Sequence, residues 1–166
     1  MENNDILIRL RYAQDIKNTD MVEIFKLGGV EVTKEEVLKM LKKPKDSYDH
    51  EADDDEDYIN CNNVKLESFL NGYIIFKRGK QDPKPGQPDS PARSKESINN
   101  ILLKKLKIAL ALTSEDMLDI FNKAGITVTK GELSAILRKE GHKNYKECGD
   151  KYARNFLKGL AIKYRG

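Results

Sequence analysis

Residues 4–43 read NDILIRLRYAQDIKNTDMVEIFKLGGVEVTKEEVLKMLKK, and residues 100–139 read NILLKKLKIALALTSEDMLDIFNKAGITVTKGELSAILRK. The two stretches align without a gap at an offset of 96 residues. A second block repeats at an offset of 87 and pairs Cys61 with Cys148, Gly72 with Gly159 and Arg78 with Arg165. The chain therefore contains one structural unit twice.

Each copy is predicted to form four helices. Apolar residues recur at helical spacing in a first helix, at about residues 3–16 and 98–112, and in a second, at about residues 19–27 and 114–123. Glycine follows the second helix in both copies, where it accepts the left-handed conformation that ends a helix.

The third helix has the clearest start signal. Thr33 and Thr129 are each followed three residues later by glutamate, which is the pattern of a capping box. We expect this helix to end near residues 43 and 139. The fourth helix is predicted to begin near Cys61 and Cys148, and each copy of it closes in arginine and glycine.

These elements predict an all-α fold made of two homologous four-helix repeats. The repeats would occupy residues 1–79 and 97–166, joined by a proline-rich linker at residues 80–96. The segment of residues 44–60, which is rich in Asp and Glu, lies outside the repeated pattern and is predicted to form a mobile loop. Each copy is small enough to have a marginal core alone, so we expect the copies to pack on each other.

The composition indicates a highly charged helical protein. Charged residues make up 34% of the 166-residue chain, and no apolar run approaches the ~20 residues that a membrane span needs. The N-terminal residues are polar, without the apolar segment of a signal peptide. We therefore expect a cytoplasmic protein with no membrane contact and with two reduced thiols.

Charge is divided unevenly between the copies. Residues 1–79 contain 12 Lys/Arg against 17 Asp/Glu, whereas residues 80–166 contain 18 against 10. The copies thus share an apolar pattern but differ in surface charge, and we expect function to lie in that difference.

Several motifs carry a family resemblance. The order NDIL, LRYA and DMVEIF is followed by C-x4-L-x2-F-L-N-G, by NNILLKKL at residues 99–106 and by CGD at residues 148–150. This order resembles the YehS-like family of small bacterial proteins over about residues 3–79 and 97–164. That family is a domain of unknown function. The resemblance implies a duplicated helical domain in a bacterial cytosol and implies no catalytic residue.

Cys61 and Cys148 are the candidate reactive thiols. A thiol at the start of a helix has a lowered pKa in some proteins, although a small residue that packs the helix start is the favoured interpretation. A metal site would need both cysteines, His142 and an acidic ligand to converge, and the spacing of these residues matches no zinc pattern. His50 has no counterpart in the second copy, and we expect no metal and no cofactor.

Basic residues of copy two form the candidate phosphate- or partner-binding face. On the fourth helix they recur on one side, and copy one has Val64, Glu67 and Asn71 at the first three of these positions, so folding does not require them. An ordinary solvated helix face is the competing interpretation. The full candidate set is Lys104, Lys105, Lys107, Lys151, Arg154, Lys158 and Arg165.

Two further patterns are weaker. The acidic run at residues 53–57 lacks the alternating ligands and glycine of a calcium-binding loop, which favours a solvated loop. The second and third helices of copy two have a helix-turn-helix order. Their connection at residues 124–129 exceeds the 3–4 residues usual in DNA-binding versions.

Three functional hypotheses follow. The first is a non-catalytic binding or regulatory module that engages a protein partner or associates with itself through its oppositely charged copies. The second is nucleic-acid binding through the basic face of copy two, and the third is thiol-based redox sensing. An enzyme is disfavoured because the sequence offers no paired acid and base.

Overall fold

The computed structural model describes residues 3–41, 59–79, 97–138 and 142–165, and these residues form eight α-helices and no strand. Copy one contributes α1 (Asn3–Gln14), α2 (Asn18–Leu27), α3 (Lys34–Met40) and α4 (Asn63–Arg78). Copy two contributes α5 (Ile98–Ala109), α6 (Ser114–Lys123), α7 (Lys130–Leu137) and α8 (Asp150–Arg165). The predicted all-α duplicated fold is confirmed.

Three predicted features differ from the structure or lie outside it. The third helices end at Met40 and Leu137, earlier than the predicted residues 43 and 139. The fourth helices begin two residues after each cysteine. Residues 44–58 of the acidic segment and the linker at residues 80–96 lie outside the described residues.

The two copies pack on each other around an approximate twofold axis. Between the copies, α1 packs chiefly on α8, and α4 packs chiefly on α5. Because α1 corresponds to α5 and α4 to α8, these two seams are equivalent. The buried side chains of both copies form one hydrophobic core, as expected of copies that pack on each other.

Within each copy the second and fourth helices make the closest approach. Phe25 and Phe69 have ring centroids 4.9 Å apart, and their counterparts Phe121 and Phe156 are 5.3 Å apart. A Cβ on Gly159 would collide with the backbone oxygen of Ile120. Glycine at this position therefore sets the distance between α6 and α8.

Side chains cap the helix starts as the sequence predicts, with one correction. Thr33 and Glu36 form a complete capping box, with Thr33 Oγ1 accepting from the Glu36 amide at 3.1 Å and Glu36 Oε1 from the Thr33 amide at 3.0 Å. In copy two Thr129 caps α7, but Glu132 accepts from the Thr129 hydroxyl and from Tyr152 Oη rather than from the cap amide. Tyr152 has no tyrosine counterpart in copy one, so the second predicted box forms only in half.

Two helix ends use a backbone conformation that the sequence did not signal. Asp15 and Ala111 follow α1 and α5 with φ of 50° and 52°, in the left-handed region where glycine is usual. The amides of the next residues, Ile16 and Leu112, then return to carbonyls of the preceding helix. None of the helices in the described ranges is long and apolar enough to cross a membrane.

Candidate functional site

Two asparagines organise the surroundings of the cysteines. Asn100 is fully buried; its Oδ1 accepts from the Cys148 amide at 2.7 Å, and its Nδ2 donates to the oxygens of Ile136 and Lys146 at 3.0 Å. Asn4 makes the corresponding three hydrogen bonds in copy one. Each asparagine thus ties the first helix to the end of the third and the start of the fourth.

Both candidate thiols are buried by this arrangement. Cys61 and Cys148 are each 1% exposed, and burial raises the pKa of each thiol to about 12. A reactive cysteine needs a shift in the opposite direction, because the thiolate is the nucleophile. These contacts favour the packing role of the cysteines.

The thiol chemistry gives a first testable expectation. With a pKa near 12, only about one thiol in 10⁵ is ionised at neutral pH, so alkylation of the native protein by iodoacetamide should be at least about 100-fold slower than in the urea-unfolded chain. The native rate should also keep rising between pH 7 and pH 10. A rate that equals the unfolded control, or that levels off near pH 7, would contradict this and restore the redox hypothesis.

The basic face of α8 lies beside copy one. Lys151, Arg154, Lys158 and Arg165, here called the α8 stripe, are all exposed, and the helix packs on α1. Within the described residues the first three form no ion pair closer than 4 Å. The stripe therefore borders the seam between the copies instead of an isolated surface of copy two.

The three lysines of α5 do not join this stripe. Helix α5 packs chiefly on α4 and not on α1, and Lys104, Lys105 and Lys107 are all half-buried on it. Lys104 Nζ donates to the oxygen of Arg138 at 2.7 Å and lies 5.6 Å from the ring centroid of Tyr145. The predicted seven-residue face is thus divided between two places.

A groove runs along the seam of α1 and α8, with a volume of about 390 Å³. We call it the seam groove. Leu157, Ala161 and Ile8 give it an apolar lining, and the remaining lining residues are charged or aromatic. The complete lining is Asp5, Ile8, Arg9, Tyr12, Leu157, Lys158 and Ala161.

One end of the groove is marked by an exposed aromatic ring. Tyr12 is 57% exposed, and the guanidinium carbon of Arg165 lies 4.4 Å from its ring centroid. Arg165 Nη1 also pairs with Asp15 Oδ1 at 3.0 Å. Cation–π stacking and the ion pair hold Arg165 against α1, so the stripe ends on a Tyr12–Arg165 pair.

Comparison with known proteins identifies the fold family. A family model described as "Protein of unknown function (DUF1456)" matches residues 3–79 and 99–166, which are the two helical copies. The chain belongs to this family. Its resemblance to the YehS-like family is confirmed by a relative in Escherichia coli (strain K12), "Uncharacterized protein YehS", which is 40% identical over 164 residues and covers 98% of this chain and 96% of that protein. No solved structure matches the chain.

Only some of the other predicted sites of this DUF1456 chain lie within the described residues. His142 is exposed, and its Nδ1 accepts from the Asn144 amide at 3.0 Å. No group of three or more His, Cys, Asp or Glu in the described ranges could hold a metal ion. His50 and the acidic run at residues 53–57 lie outside those ranges. Helices α6 and α7 contact each other and are joined by residues 124–129.

Arg9 and Tyr12 are the groove residues that the sequence did not single out. They belong to copy one, whereas the stripe belongs to copy two, and nothing in the sequence places α1 against α8. The only indication in the sequence was a difference between the copies, since Tyr12 corresponds to Ile108. In the structure both side chains are exposed.

Proposed function

We propose that this chain is a non-catalytic binding module of the bacterial cytoplasm that holds an acidic segment of a partner protein in the seam groove. The observation that carries the proposal is the combination of an apolar lining with a cationic rim. The partly exposed side chains of Ile8 and Ala161 offer contact area, while Arg9 and Lys158 offer charge beside it. Such a surface is complementary to a segment that alternates apolar and acidic side chains.

The rim charges support an acidic occupant. Arg9, Lys158 and Arg154 form no ion pair closer than 4 Å within the described residues, and Asp5 is the one carboxylate in the lining. Positive surface charge that folding leaves unneutralised steers an anionic partner and fixes its register. The corresponding positions of the other seam are Lys105, Asn71 and Glu67, and these three side chains carry no net charge.

The exposed ring of Tyr12 supports a stable contact with the partner segment, in addition to electrostatic attraction. Exposed tyrosines beside arginine are frequent anchors of protein interfaces, because a rigid ring buries much area at a small entropic cost. Arg165 already holds one side of the ring. The buried, protonated thiols of Cys61 and Cys148 fit a binding role better than a chemical one.

Nucleic-acid binding is the second candidate, and the spacing of the stripe favours it. Lys151, Arg154 and Lys158 succeed one another at about one helical turn, and Tyr12 could stack on a base. The groove's apolar lining argues for the protein partner, since nucleic-acid grooves are lined mainly by charge and aromatic rings.

Photo-cross-linking tests the proposal and separates the candidates. Benzoylphenylalanine in place of Tyr12, in the native bacterium, should cross-link to a protein at a segment of net negative charge. The matched control is the same replacement at Ile108, the equivalent exposed position on the other seam. A synthetic peptide of the cross-linked segment should then bind the purified chain.

Charge reversal gives the quantitative readout. Lys158→Glu should weaken binding of that peptide at least about tenfold, equivalent to about 1.4 kcal/mol, while Asn71→Glu at the matching position should not. Cross-links to nucleic acid would replace the proposal by the second candidate. Cross-links to a second copy of the chain would convert it to self-association, and equal yields at both positions would refute it.

A further inference from the structure

A second cleft lies on the approximate twofold axis, where the C-terminal ends of α1, α4, α5 and α8 meet. Its volume is about 430 Å³, and we call it the axis cleft. Its whole lining consists of corresponding residues from the two copies. These pairs are Ala13 and Ala109, Gln14 and Leu110, Asp15 and Ala111, Lys77 and Tyr164, and Arg78 and Arg165.

The two arginines occupy equivalent positions but meet different partners. Arg165 reaches across the seam to the end of α1 and pairs with the Asp15 carboxylate at 3.0 Å. Arg78 reaches across the other seam to the end of α5, where Ala111 takes the place of that aspartate. Arg78 Nη1 donates to the oxygen of Ile108 at 3.2 Å, and within the described residues it forms no ion pair.

The charge of the cleft is therefore unbalanced. Lys77, Arg78 and Arg165 bring three positive charges, against the single carboxylate of Asp15. The four helix C-termini carry partial negative charge that together offsets much of this excess, so what distinguishes the Arg78 end of the cleft is that no carboxylate stands beside it. Copy one also contributes Gln14, whose Oε1 accepts from Tyr73 Oη at 2.9 Å and whose buried Nε2 has no hydrogen-bond partner among the described residues.

We propose that the axis cleft binds a small molecule through a carboxylate or phosphate group, which Arg78 and Lys77 hold where the Asp15 carboxylate would stand by symmetry. A guanidinium binds either group through paired N–H donors. The half-buried side chain of Leu110, also in the lining, offers apolar contact to the rest of the molecule. The lining of the axis cleft shares no residue with that of the seam groove, although Arg165 stacks on Tyr12 between them, and the proposal does not depend on the partner proposed there.

The duplication supplies variants that test this directly. Ala111→Asp adds in copy two the carboxylate that copy one already has, so the chain itself should occupy Arg78. Asp15→Ala removes the carboxylate from Arg165 and should open a second site there, weaker than the first because Tyr164 stands where copy one has Lys77. Aspartate tolerates the left-handed backbone at residue 111 (φ 52°), so the first variant should fold.

The chain is titrated with inorganic phosphate and, separately, with succinate. Binding is measured by NMR of the arginine side chains and by calorimetry. At least one anion should saturate a single site in the natural chain with a Kd of about 1 mM or lower. Ala111→Asp should weaken it at least tenfold, and Asp15→Ala should give two sites. The anion that saturates the site shows whether the ligand's charged group is a phosphate or a carboxylate.

Two controls keep the outcome specific. Lys158→Glu, which alters only the seam groove, should leave anion binding at the axis cleft unchanged, so failure of one site is distinct from failure of the other. Thermal unfolding of each variant checks that it is folded. Absence of saturation by both anions, or equal binding by Ala111→Asp and the natural chain, would overturn the proposal.

Discussion

Replacing Gly159 by alanine should be among the most destabilising single substitutions in the described core. The added Cβ would collide with the backbone oxygen and carbon of Ile120, and a backbone atom cannot rotate away as a side chain can. Helices α6 and α8 would have to separate, which would loosen the contact between Phe121 and Phe156. We expect a loss of about 3 kcal/mol in the free energy of unfolding, measured by urea denaturation followed by circular dichroism.

Gly131→Ala is the matched control for this substitution. Gly131 also lies in a helix, but a Cβ there would meet nothing closer than Thr129 Oγ1 at 3.9 Å. Alanine favours a helix over glycine by roughly 0.5–1 kcal/mol, so this variant should be as stable as the natural chain or slightly more stable. Equal losses for the two variants would show that helix packing does not explain the glycine at residue 159.

Copy one should respond to Gly72→Ala for the same reason, because the new Cβ would meet the oxygen of Ile24. Its close approach involves a second glycine, Gly28, which would meet the oxygen of Ser68, whereas copy two has Ala124 at that position. The α2–α4 crossing is therefore the tighter of the two. This identifies the repeated glycine as a packing residue, a role that the sequence alignment alone does not reveal.

The local elements could be predicted from the sequence because their signals are local. Thr33 with Glu36, and Gly29 with Gly125, act on neighbouring backbone groups, so the pattern defines the helix boundary. The end of the third helix depends instead on a distant residue. The Asn4 side chain takes the oxygen of Met40, the last residue of α3, across 36 residues of sequence. The hydrophobic periodicity of a helix depends on neighbouring residues and does not predict such a contact.

The pairing of the helices between copies was also beyond prediction. An apolar stripe on α1 shows which face is buried, but it does not say whether α4 or α8 covers it. The candidate site depends on that choice: Arg9 and Tyr12 join the stripe only because α1 packs on α8. The same choice separates Lys104, Lys105 and Lys107 from the stripe.

The buried asparagines should be as important to stability as any apolar core residue. In Asn100→Ala the Cys148 amide and the oxygens of Ile136 and Lys146 all lose their partner in one step. A buried polar group left without a hydrogen bond costs roughly 1–3 kcal/mol, so we expect a loss of about 3–4 kcal/mol in the same urea assay. Asn122→Ala on the exposed face of α6 is the control and should change stability by less than about 0.5 kcal/mol.

Asn100→Asp separates the acceptor from the donor role of this side chain. The carboxylate keeps an acceptor for the Cys148 amide but turns an oxygen toward the two carbonyls that Nδ2 serves in the natural chain. Burial and the facing oxygens should raise the folded-state pKa of this aspartate above its unfolded value of about 3.9. Relative to Asn100→Ala at each pH, the free energy of unfolding of Asn100→Asp should be highest below pH ~3.9. It should fall as the pH rises through the folded-state pKa. A variant as stable as the natural chain at pH 7 would show that the amide donors contribute little, and that the accepting oxygen alone ties α5 to the start of α8.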